Sequence, residues 1–175
     1  MSTSTPQAIR DRIRAVVASI DPVSLIGDRF IDSRNEFSGD FREWAETNPA
    51  AAFRRYQVRA DGHDEPPTVS NTVIEERRVV FEILIAYPQN HRYGDDGAMD
   101  RDDVIDEDWD YLDFNLGICG KVNFTSTDTG SYDCTPLGCT KEIERGDVCD
   151  FLVIRAEYQY QRALAVGGLA QGVGG

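Results

Sequence analysis

Apolar residues change their spacing along this chain, and each change marks a new element. Ile9, Ile13, Val16, Val17 and Ile20 recur at helical intervals behind Pro6, a residue suited to a first helical turn, with Ser4 and Thr5 as candidate caps. The spacing predicts a helix over 6–20, closed by Asp21-Pro22. Beyond it, "SLIGDRFID" suits a short strand, and "FSGDFREWAETNPA" mixes a helical turn with loop.

From Ala52 the period falls to two. In "AFRRYQVRA", Phe53, Arg55, Gln57 and Arg59 alternate with Arg54, Tyr56 and Val58, the pattern of an amphipathic strand. The turn formers of "DGHDEPPTVSN" predict an exposed connection. A long strand follows, Val73 to Tyr87, with Val79, Phe81, Ile83, Ile85 and Tyr87 on one side and Val80, Glu82, Leu84 and Ala86 on the other. Two largely apolar faces place that strand in the middle of a sheet.

The period then returns to helical. Ile105, Trp109, Leu112 and Leu116 share a face over 101–116, Asp102 and Asp103 favour the N-terminus through the helix dipole, and Gly117 can end the helix. Residues 118–148 carry the turn signals "TDTGSYD", "TPLG" and "ERGD" around short β-like pieces and read as a hairpin excursion. In "CDFLVIRAEYQYQR", Leu152, Ile154, Ala156, Tyr158 and Tyr160 face one way, a half-buried closing strand. The glycine-rich "AVGGLAQGVGG" reads as a flexible tail.

Together these elements predict an α+β fold: a mainly antiparallel sheet of about four or more strands with two main helices, in the order α-β-β-β-α-β. A length of 175 residues favours one domain, here 1–165, with the tail at 166–175. Charge narrows the function: 31 Asp and Glu oppose 18 Lys and Arg, and a net −13 disfavours gripping nucleic-acid phosphates. No apolar run reaches the length of a membrane span, and the start lacks the order of a signal peptide, so a cytoplasmic location and reduced cysteines are expected.

Candidate chemistry is sparse. The acidic run fails as a calcium loop, because counting from Asp100 puts Val104, Ile105 and Tyr111 where a ligand, a glycine and a glutamate are needed. Cys119, Cys134, Cys139 and Cys149 are read as small, partly buried thiols, since no CxxC knuckle frames a zinc site. His63 and His91 stand in no nucleophile or metalloprotease signature. The chain is therefore read as a non-enzyme with no catalytic residue, metal or cofactor. Arg54, Arg55 and Arg59 on one strand and Arg77 and Arg78 on its neighbour form a candidate basic patch. Asp103, Asp106 and Asp110 of the acidic helix are its candidate opposites across a subunit interface.

The segments "NPAAAFRRYQVRADG", "ERRVVFEILIAYPQN", "DVIDEDWDYLDFNL" and "CDFLVIRAEYQYQ", in that order after a first helix, resemble the tail-terminator (tail-completion) family of long-tailed bacteriophages, of the phage lambda type. The resemblance covers 6–20 and 48–162; the chain is longer than a minimal member at 23–47 and 118–148. It implies a structural virion protein that forms a six-fold ring on the tail tube, ends tube growth and joins the tail to a head-closure or head-tail connector protein. DNA passes through such a ring without specific binding. Assembly takes place in the host cytoplasm, with no membrane partner. Another neck component is the nearest alternative, followed by an acidic DNA mimic and then a small metal-dependent enzyme.

Overall fold

A computed structural model describes residues 5–22, 29–34, 39–64, 68–69, 74–91, 93, 99–117, 124–125 and 131–163. Its elements are α1 (Thr5–Ser19), β1 (Ile31–Asp32), α2 (Phe41–Thr47), α3 (Pro49–Ala52), β2 (Arg55–Asp64), β3 (Thr68–Val69), β4 (Ile74–Pro88), α4 (Arg101–Leu116), β5 (Phe124–Thr125), β6 (Ser131–Arg145) and β7 (Cys149–Ala163). The strands form one sheet in the order β1-β2-β4-β7-β6-β5, with β3 also paired to β4. Every pairing is antiparallel except β1 with β2. The expected α+β class with a mainly antiparallel sheet is what the chain adopts.

β4 and β7 are the axis of the sheet, paired without a break from Ile74↔Ala163 to Pro88↔Cys149. Their side chains alternate between two cores. One face carries Phe81, Ile83 and Ile85 of β4 with Leu152, Ile154 and Tyr158 of β7, covered by Ile9, Ile13 and Val17 of α1 and Ile105, Leu112 and Leu116 of α4. The other carries Leu84, Ala86, Phe151 and Val153, covered by Phe41 and Ala45 of α2 and Ala52 of α3. Phe41 meets Phe151 edge-on, ring centroids 6.2 Å apart. This second core explains why β4 is apolar on both faces.

Capping sets the helix limits. Asp40 accepts hydrogen bonds from the Arg42 and Glu43 amides at the start of α2, and Asp100 accepts one from the Asp102 amide at the start of α4. The Gly117 amide donates to the Asp113 carbonyl at 2.7 Å, closing α4 at the predicted glycine.

Two segments depart from expectation. The connection 61–71 is partly strand: β2 runs on to Asp64, and Thr68–Val69 pair with β4. Within 118–148, residues 131–145 form a full-length strand of the main sheet, paired with β7 from Ser131↔Arg162 to Arg145↔Asp150. Pro136 and Gly138 obscure this strand in the sequence, and the register shift between them absorbs both. Gly138 takes φ +147°, a conformation open to glycine, and an outer strand tolerates the proline. The predicted tail, 166–175, lies outside the described residues. Among the described residues, no helix is long and apolar enough to cross a membrane.

Candidate functional site

The five candidate arginines do not form one patch. Arg54 is interior, 1% exposed, and its placement corrects the surface role expected of it. Its backbone takes φ +54° just before β2 begins, so Phe53 and Arg54 are both buried and the alternation inferred from Phe53 onward starts only at Arg55. The Arg54 guanidinium grips Asp108 of α4 with two bonds, Nε to Oδ2 at 2.8 Å and Nη2 to Oδ1 at 2.9 Å. The Tyr87 hydroxyl donates to the same Oδ2 at 2.8 Å, and the Phe53 ring lies 4.9 Å from the guanidinium carbon. Burial is the largest influence on Asp108 and raises its pKa, opposed by the Arg54 hydrogen bonds; burial also raises the Tyr87 hydroxyl well above its ordinary value, with Asp108 adding to it.

Arg77 and Arg78 point to opposite faces of β4, since their register partners are Tyr160 and Gln159. Arg59 and Arg78 share the face turned away from α1 and α4. There Arg59 Nε donates to Glu82 Oε1 at 2.8 Å, Arg155 lies 3.5 Å from Glu82 Oε2 and 3.7 Å from Glu142, and Arg78 lies 3.6 Å from Glu157. In register, Arg59, Glu82 and Arg155 form one row across β2, β4 and β7. Arg55 projects on this face too, and its Nε donates to the Ala51 carbonyl. The basic patch is thus a ladder of alternating signs. The glutamates that balance it, and Arg155 which joins them, were not among the predicted residues; of these, the alternating charges of "KEIER" mark Glu142.

Asp103, Asp106 and Asp110 stand on the exposed outer surface of α4, on the opposite side of the sheet from Arg59 and Arg78. Asp106 accepts from Lys141 Nζ at 2.7 Å, and Lys141 also sits over the Trp109 ring. Phe114, 63% exposed, and Tyr111 interrupt the acidic surface with aromatic area.

A second buried charge system ties α4 to the β6–β7 turn. Asp150, fully buried, is 2.7 Å from both Arg101 Nε and Arg145 Nη1. Arg145 also grips Asp102, whose pKa its hydrogen bonds lower. Glu46 of α2 accepts from the Val148 and Cys149 amides at 2.8 and 3.2 Å and so clamps the same turn. Nearby, Pro49, Ala50, Pro88, Asn90 and His91 line an open cleft of about 230 Å³, and His91 stacks on Phe53 with centroids 4.0 Å apart.

Cys134, Cys139 and Cys149 are free thiols that burial pushes up to about 12, and Cys119 lies outside the described residues. Among the described residues, no group of three His, Cys, Asp or Glu side chains is placed to hold a metal ion. The arrangement is rich in charge pairing between elements and offers surfaces on two opposite sides of the sheet. No protein-family model matches this chain, and no curated protein sequence matches it.

Proposed function

We propose that this chain is a structural component of a long-tailed bacteriophage, a tail terminator. It assembles as a six-fold ring on the tail tube, ends tube growth and presents the surface that meets a head-closure or connector protein. The observation that carries the reading is the arrangement of the four segments that resemble that family: they fold as three adjacent strands, β2, β4 and β7, with α4 packed across them. A sheet with a core on each face, and with ion pairs fastening its ends, supplies a stiff platform suited to that role.

Ring closure needs two different surfaces of one subunit to meet. The acidic outer face of α4 and the arginine-bearing face of the sheet lie on opposite sides, so each subunit offers chemically distinct surfaces. The net charge of −13 disfavours DNA phosphates, and the pairing of Arg59, Arg78 and Arg155 with carboxylates weakens their attraction, as a channel for sliding DNA requires. The acidic α4 surface alone fits a DNA mimic, but the arginine-bearing face has no counterpart in such a molecule.

Gold-labelled protein incubated with preformed tail tubes tests the reading. Label at one end of each tube is expected; label along the walls, or none, overturns it.

A further inference from the structure

The sheet ends in two edges that differ in chemistry. Along β2, β1 covers Arg55 and Tyr56; no other described strand pairs with the outer edge of Gln57–Asp64, where Arg14 Nη2 donates to the Val58 carbonyl at 3.5 Å. Along β6, β5 pairs only with Asp133 and Cys134, and no described residue pairs with the outer edge of Thr135–Arg145. Open edges are normally blunted by proline, bulges or outward charges. Pro136 and the register shift at Gly138 do this for the first part of β6. From Cys139 to Arg145 the strand is regular, and its charged side chains are drawn onto the sheet faces: Lys141 to Asp106, Glu144 to Arg42, Arg145 to Asp102 and Asp150.

We infer that the β6 edge at Cys139–Glu144 pairs with the β2 edge, from Gln57 onward, of a second copy of this chain. Direction allows it: β6, β7, β4 and β2 alternate, so β2 and β6 run oppositely, and a rotation axis along the strands sets them antiparallel between copies. Charge favours it. On the face shared with Leu84, Phe151 and Val153, β2 presents Arg55, Gln57 and Arg59, while β6 presents Glu142 and Glu144. One register places Arg59 opposite Glu142, Val58 opposite Ile143 and Gln57 opposite Glu144, with Arg55 diagonal to Glu144. The side chains of Arg59 and Glu142 are 46% and 60% exposed, so both remain accessible to a neighbour. Because the two edges differ, the contact propagates head to tail and removes both edges on closure. Closure rests on the ring reading; the pairing itself does not.

Charge reversal tests the pairing by sedimentation velocity at high protein concentration. Wild-type protein associates, E142R/E144R and R55E/R59E alone stay monomeric, and an equimolar mixture regains the assembled species, since the reversed β6 edge of one variant fits the reversed β2 edge of the other and their unreversed edges fit as in the wild type. Assembly by either variant alone, a mixture that stays monomeric, or a monomeric wild type overturns the pairing. Should a reversed variant fail to fold, Q57C/E144C replaces it: oxidation by dioxygen with a copper–phenanthroline catalyst yields a covalent ladder of copies absent from wild type, and no ladder overturns the pairing. Copies that associate in this register but never bind tubes leave the pairing intact and sink the terminator reading. Tube binding by freely assembling charge variants does the reverse.

Discussion

Arg54 and Asp108 form a two-pronged ion pair sealed within the protein, each side chain 1% exposed, joining the entry to β2 with the middle of α4. Removing one partner strands a buried charge, whereas replacing both with apolar groups of similar volume does not. Asp108→Ala is therefore expected to lower stability by about 3–5 kcal/mol, and Arg54→Met with Asp108→Leu by much less. Denaturant unfolding of the single and double variants checks this, and equal losses in both would contradict it.

Gly146 stands where Glu46 Oε1 and the Cys149 carbonyl close in, leaving no room for a Cβ. Gly146→Ala must push Glu46 off the Val148 and Cys149 amides or shift the turn. A loss of about 1–3 kcal/mol is expected, typical of overpacking. Thermal unfolding measures it, and an unchanged midpoint would remove the clamp from the account.

Burial raises the thiols of Cys134, Cys139 and Cys149 from about 9 to about 12. The folded state holds these protons more tightly than the unfolded state. Their stabilising contribution is thus complete below pH 9 and falls away as pH climbs toward 12. At pH 8 these three cysteines should alkylate slowly in the native protein and rapidly in denaturant, as followed peptide by peptide in a mass spectrometer. Equal rates in both conditions would contradict their burial.

Asp102 titrates with the opposite sign. The Arg145 hydrogen bonds lower its pKa in the folded protein, so its contribution is present above the ordinary carboxylate range and is lost as pH falls through the lowered value. Arg145→Met should raise the Asp102 pKa in a carbon-detected NMR titration. Arg145 also contacts Asp150, and the same variant should reduce stability at neutral pH while Arg101 keeps Asp150 paired.

Elements with a sustained period were legible in the sequence. α1 and α4 fall within a residue of their expected limits, and β4 shows the two-sided pattern that its two cores require. β6 was hidden, because Pro136, Gly138 and the charges after Lys141 are the residues that usually interrupt strands. The surface arginines were harder still. Arg54 turned inward because one left-handed residue reverses the alternation, and its partner lies 54 positions away in the chain. Period alone carries no information about such a pairing. Arg55, Arg59 and the acids of α4 project where their spacing placed them, but the glutamates that balance the arginines come from distant strands.

Tail length tests the central claim most directly. Electron micrographs of tails assembled in the absence of this protein should show tubes overrunning their normal length, and adding the protein back should restore a uniform length. Tails of normal, uniform length in its absence would contradict the proposed terminator role.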